Sequence, residues 1–133
     1  MKISRSAGYA LLAVGYISQN QKKDKCVFSQ DISKKYKIPL EYLLKIMQQM
    51  VKVGILRSKR GPRGGFNIGR ASSQITFLNI IEAIDGPIVD GLLAFEDIKK
   101  KDKFMNKVET AYSKVIESQV KVMKEANLSS LLA

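Results

Sequence analysis

One stretch restricts the fold more than any other. Residues 40–53 place Leu40, Leu43, Ile46, Met47 and Met50 on one side of a helix, at the i, i+3, i+4, i+7 spacing of an amphipathic segment. Gly54 stops it, as glycine does at a helix C-terminus. The chain then enters two short β-prone runs, Ile55 to Lys59 and Gly65 to Ile68, with Arg60-Gly61-Pro62-Arg63-Gly64-Gly65 at the bend. A helical period that gives way to an extended one, with glycines and a proline in the gap, predicts a β-hairpin. Gly64-Gly65 lets the backbone turn at positive φ. The run is not a nucleotide-binding P-loop. Such a loop needs Lys-Ser or Lys-Thr after the glycines and a helix beyond, whereas this one leads into a strand. Arg70 lies past the second strand and outside the turn.

The residues upstream supply two more helices. Ser4 is an N-cap candidate for a helix to about Asn20, with Tyr9, Leu12, Ala13, Tyr16 and Ile17 at inward spacing. Gln21 to Lys25 is a charged loop, and Cys26-Val27-Phe28 is a β-prone run too short to stand alone. Ser29 is a second N-cap candidate, for a helix to about Tyr36 with Ile32 and Tyr36 inward. Lys37-Ile38 makes the turn, and Pro39 sits where a first helical residue is favoured.

Downstream, Thr76 caps a fourth helix whose inner face is Phe77, Ile80, Ile81 and Ile84, ended by Asp85-Gly86-Pro87. Residues 88–102 have no clear period: an apolar segment, IVDGLLAF, precedes a charged one, DIKKKDK. A long helix is expected from Lys103 to Ala126. Phe104, Val108, Ala111, Tyr112, Val115, Gln119, Val122 and Ala126 recur at steps of 3 or 4, the spacing of a coiled-coil seam. A small domain has nothing left to cover that stripe, so a second copy of the chain is expected there, on Phe104, Val108, Tyr112, Val115 and Val122. Folding back on its own domain is the alternative.

The order helix, short strand, helix, turn, helix, two-stranded hairpin is that of a winged helix-turn-helix. The expected fold class is mainly α with a small β-hairpin wing. Residues 1–87 form the winged helix-turn-helix, and residues 88–133 an effector segment and a long C-terminal dimerisation helix.

The charge agrees with a polyanionic partner. Residues 1–70 hold 15 Lys and Arg against 3 Asp and Glu, a net of +12; residues 71–133 hold 8 against 9, a net of −1. A generally basic protein would spread its charge evenly, whereas a basic half joined to a neutral half fits a chain with one part on nucleic acid. With 133 residues, 45% of them hydrophobic, the chain can bury a core. It has no apolar run of about 18 residues, so no membrane partner is expected. The opening residues lack a leader-like cleavage site and Cys26 is the only cysteine, so the cytoplasm is the expected compartment.

If the third helix enters the major groove, its outward residues are Glu41, Leu44, Lys45, Gln48, Gln49 and Lys52. Gln48 and Gln49 suit adenine, Lys45 guanine and Glu41 cytosine, while Tyr42 can meet phosphate or stack. A solvated helix face has the same composition, so this helix alone decides little. Ser29 and Gln30 open the second helix, where free backbone N–H groups favour a phosphate, and Arg5 opens the first. In the hairpin, Lys59, Arg60 and Arg63 suit a minor groove or its phosphates.

These residues resemble a known family, the Rrf-type winged helix-turn-helix transcriptional regulators to which IscR, NsrR and CymR belong. The likeness is carried by Lys2-Ile3-Ser4 with Gly8-Tyr9-Ala10-Leu11, by Ile38-Pro39-Leu40-Glu41-Tyr42-Leu43, by Gly54-Ile55-Leu56 with Arg60-Gly61-Pro62-Arg63-Gly64-Gly65-Phe66, and by Ile75-Thr76-Phe77 with Ile80-Ile81-Glu82-Ala83-Ile84-Asp85-Gly86-Pro87. It covers about residues 1–87, and the last helix is similar to the family's dimerisation helix. The resemblance implies a homodimer on palindromic promoter DNA, double-stranded, and in most members repression.

The chain also departs from that family. Cluster-binding members hold an iron–sulfur centre on three cysteines between the fourth helix and the dimer helix. Here residues 86–103 contain no Cys, and the chain has no His. Clusters need thiolates, usually four, so no metal site and no cofactor is expected. Cys26 reads as a small buried strand residue, with a redox thiol as the alternative. Leu44 stands where members often carry a polar residue and offers only apolar contact, as to a thymine methyl. An enzyme is not expected: Glu82 and Asp85, one helical turn apart, suit a solvated face rather than an acid–base pair. A second reading keeps the fold as a sensor or protein-interaction module, with 88–95 taking an unidentified small molecule or protein as effector.

Overall fold

The computed structural model describes residues 2–88 and 91–133; residues 89 and 90 of the expected effector segment lie outside them. The elements are α1 (Arg5–Asn20), α2 (Ser29–Tyr36), α3 (Leu40–Lys52), β1 (Leu56–Lys59), β2 (Gly65–Ile68), α4 (Phe77–Asp85), α5 (Lys103–Glu125) and α6 (Leu128–Leu132). Short 3-10 turns stand at Ser72–Gln74 and Leu93–Phe95.

Helix α1 is the axle of the fold. Ser4 caps it through a 3.0 Å bond from the Ala7 N–H to Oγ, as its position suggests. Ala7, Ala10 and Ala13 are fully buried, and these small side chains let α3 and α4 close onto α1. Val14 and Ile17 complete the buried face, while Leu12, expected inside, is 40% exposed. The apolar stripe was placed by size, but the alanines set its centre.

Ile32, Ile38, Leu43, Met47, Met50, Ile55, Leu56, Ile75 and Ile80 fill the space around α1. Burying each large side chain contributes about 1.5–3 kcal/mol. The caps of the two middle helices differ from expectation. Phe28, not Ser29, occupies the N-cap of α2, and Pro39 is the N-cap of α3 rather than its first residue. Between them Lys37 takes a left-handed conformation at φ 55°, which ends α2 in one step.

The hairpin pairs Leu56 with Ile68 and Lys59 with Gly65 in antiparallel register. Val27 adds a third, single-residue strand: its N–H donates to the Phe66 carbonyl at 2.9 Å, and Phe66 N–H returns to Val27 at 2.8 Å. That is the role of the short β-prone run before α2.

Thr76 caps α4 in a reciprocal box with Asn79, and Leu78, Ile80 and Ile81 are buried. Leu78 replaces the expected Phe77 and Ile84, which are only half-buried. Helix α5 packs through Val120 and Met123 onto Ala7, Leu78 and Ile81. Helix α6 has no counterpart in the sequence reading. It buries Leu128 in the main core beside α1.

Candidate nucleic-acid interface

The outward side of α3 carries exposed Glu41, Tyr42, Lys45, Gln48, Gln49 and Lys52, with Leu44 half-buried. Tyr42, Lys45, Gln48, Gln49 and Lys52 line one groove with Ser6 of α1. Tyr42 is held there on two sides. Its ring meets Tyr9 edge-on at 5.8 Å between centroids, and its hydroxyl hydrogen-bonds the Ser6 hydroxyl. Ser6 was missed by sequence reasoning, since nothing local links it to a residue 36 positions away. Its contact fixes the start of α3 against α1.

Arg5 and Gln30 are exposed at the first turns of α1 and α2. Ser29 departs from expectation. It is 6% exposed, because Phe28 takes the cap position and turns the serine side chain toward the protein. Gln30 is therefore the outward residue of that pair.

The hairpin tip is a tight turn made possible by absent side chains. Gly64 N–H donates to the Gly61 carbonyl at 2.8 Å, with Gly61 at φ 106°. Gly64 is required for closeness rather than for positive φ: a Cβ there would lie 2.2 Å from the Lys59 carbonyl oxygen. Gly65, at φ 151°, leaves room for Val27, whose carbonyl oxygen a Cβ would approach to 2.6 Å. Lys59, Arg60 and Arg63 are exposed around this turn. Arg63 and Pro62 share a concavity of about 300 Å³ with Asp24, Lys25, Cys26 and Phe28. Arg70 turns the other way, donating to the Val53 carbonyl at 3.3 Å, and so braces the end of α3. Cys26 is half-buried, and its thiol donates to Asn67 Oδ1 at 2.9 Å.

Among the described residues the one ion pair of side chains is Lys101–Glu109, at 2.7 Å, away from α3 and the hairpin. The cations of α3 and the wing thus have no carboxylate partner. On α5, Phe104, Val115 and Val122 are 73%, 52% and 64% exposed. Val108 and Tyr112 are half-buried. Tyr112 lines a cleft of about 480 Å³ with Ile81, Pro87, Ile88 and Ile116, between the end of α4 and α5.

A helix-turn-helix followed by a hairpin pinned to the strand before α2, with unpaired cations at its tip, defines a winged helix-turn-helix protein. The chain belongs to the Rrf2 family: the family model described as "Iron-dependent Transcriptional regulator" matches residues 3–133. This is a family of transcriptional regulators, not of enzymes. A chain of Aquifex aeolicus provisionally named as an HTH-type transcriptional regulator is 39% identical over 82 residues, covering 62% of this chain and 56% of its own length. IscR of Vibrio atlanticus is 32% identical over 85 residues, covering 64% of this chain and 49% of that protein. This chain thus spans about half the length of these curated relatives. CymR, the global cysteine regulator of B. subtilis, superposes with a TM-score of 0.81 at 20% identity, over 99% of this chain and 96% of its own, and so shares the fold.

The family description invokes iron, so the donor set matters. Thiolate clusters draw on several cysteines. This chain offers Cys26 alone, set beside the wing and bonded to Asn67. Among the described residues no three His, Cys, Asp or Glu side chains gather into a group that can hold a metal ion. The residues do not fit a cysteine-ligated cluster.

Proposed function

We propose that this chain is a cytoplasmic, DNA-binding transcriptional repressor that acts as a homodimer on palindromic promoter DNA without an iron–sulfur cluster. In this reading α3 enters the major groove and offers Glu41, Lys45, Gln48 and Gln49 to base edges. Tyr42, already bonded to Ser6, sets the helix in place. Arg5 and Gln30 meet phosphate. Lys59, Arg60 and Arg63 carry the wing onto the minor groove or its phosphates. The partner copy covers Phe104, Val108, Tyr112, Val115 and Val122.

The observation that carries this reading is the set of unpaired wing cations on a turn that only glycine can close. Positive side chains held on a rigid tip suit a phosphate backbone. Titrating a fluorescent fragment of its own promoter at two salt concentrations tests it. A specific complex that weakens steeply with salt supports the reading, and no complex at either salt removes it.

The cleft beside Tyr112 favours an addition to this reading. Its size and its mainly apolar walls suit a small effector. A ligand there would touch both α4, which belongs to the wing domain, and α5, which would carry the dimer.

A further inference from the structure

The two sides of the wing sheet differ in chemistry. Leu56 and Ile68, paired across the strands, are buried against the core. Arg57 pairs with Asn67 on the opposite side and is exposed, two residues along β1 from Lys59. A second turn sits beside it. Lys22 and Lys25 exchange backbone hydrogen bonds of 3.2 and 3.0 Å, which puts Lys23-Asp24 at the bend. Gln21 ties that turn to β2: its Oε1 accepts from the Ile68 N–H at 2.8 Å and from Asn67 Nδ2 at 3.4 Å.

The result is a concavity of about 320 Å³ lined by Gln21, Lys22, Lys23, Arg57, Asn67 and Ile68. Three cations line it and no carboxylate does. Asp24, the one acid of the turn, lines the opposite concavity with Arg63. None of the three cations is ion-paired among the described residues. Arg57 and Lys59 share one side of β1, so positive charge runs from the wing tip back along the strand for about 10 Å. A surface of one sign, with amide groups of Gln21 and Asn67 held rigid within it, is built for an extended anion rather than a single point charge. DNA presents a charge about every 1.7 Å of its axis, and a strip of this length spans several phosphates.

We propose that this concavity is a second phosphate-binding site for DNA, which grips the backbone outside the segment that α3 reads. It rests on the reading of the chain as a DNA-binding regulator. It adds that the footprint is longer than the palindrome.

The test uses two duplexes from the promoter of the chain's own gene. One is trimmed to the stretch that the wild-type protein protects, and the other carries one further helical turn on each side, about ten base pairs. The variant is K22Q/K23Q/R57Q. A second variant, K22Q/K23Q, alters no residue of β1 or β2. Each lost phosphate contact flattens the slope of log K against log salt by about 0.9. On the long duplex both variants are expected to show flatter slopes, by up to about three for the triple change, while on the trimmed duplex both match wild type. Wild-type behaviour of both variants on the long duplex overturns the proposal, and so does an equal loss on the two duplexes. If wild type binds neither duplex, the regulator reading itself falls.

Discussion

Thr76 and Asn127 face each other across an isolated antiparallel bridge, 51 residues apart in the chain. The Phe77 N–H donates to the Ala126 carbonyl at 2.7 Å, and the Leu128 N–H donates to Ile75 at 2.8 Å. Each residue also caps the helix that follows it, Thr76 with Asn79 and Asn127 with Ser130. The bridge clamps the end of α5 to the start of α4. Removing a cap of this kind costs about 0.5–2 kcal/mol. Asn127→Ala should lower stability by about 1 kcal/mol in a urea titration. An unchanged midpoint would mean that α6 is held by Leu128 alone.

The wing turn admits no side chain at residue 64. Gly64→Ala drives a Cβ toward the Lys59 carbonyl, so the tip must open. We expect a loss of DNA affinity at least equal to that of Arg63→Ala, with helical content retained. Circular dichroism beside a binding titration separates the two effects. Wild-type affinity would show that the tip's shape is not used.

The stripe on α5 predicts an oligomer. Val115→Glu and Val122→Glu put charge on residues 52% and 64% exposed in the single chain, so the fold of one chain should survive them. Light scattering should show a dimer for wild type and a monomer for the double variant. A charge left unpaired in an apolar interface costs several kcal/mol, enough to dissociate a typical dimer. A wild-type monomer would contradict the homodimer.

The cluster-free state has an optical test. Protein purified without oxygen should be colourless, and Cys26→Ser should leave its spectrum unchanged. A visible iron–sulfur band in wild type would contradict the account.

Much of this fold is legible in local chemistry. Ser4, Thr76 and Gly54 mark helix ends through bonds made within a few residues, and both strands of the hairpin lie where glycine spacing puts them. What was not legible depends on partners distant in sequence. Helix α6 has five residues and stands only because Leu128 enters a core built by α1 and α4. Serine is the better cap in isolation, yet Phe28 takes that place before α2 because Val27 is already paired to Phe66. Of the site, the cations and the outward side of α3 could be read from spacing. The Tyr42–Ser6 bond and the concavity beside Arg57 appear only once α1 and β2 are in place.

The central claim is that Arg60 and Arg63, at the wing tip, hold DNA. Titrating wild type and Arg63→Ala against one promoter duplex over a series of salt concentrations tests it most directly. The account predicts that Arg63→Ala binds more weakly by about 1–3 kcal/mol, or with a salt slope flatter by about one. An unchanged affinity with an unchanged slope would contradict it.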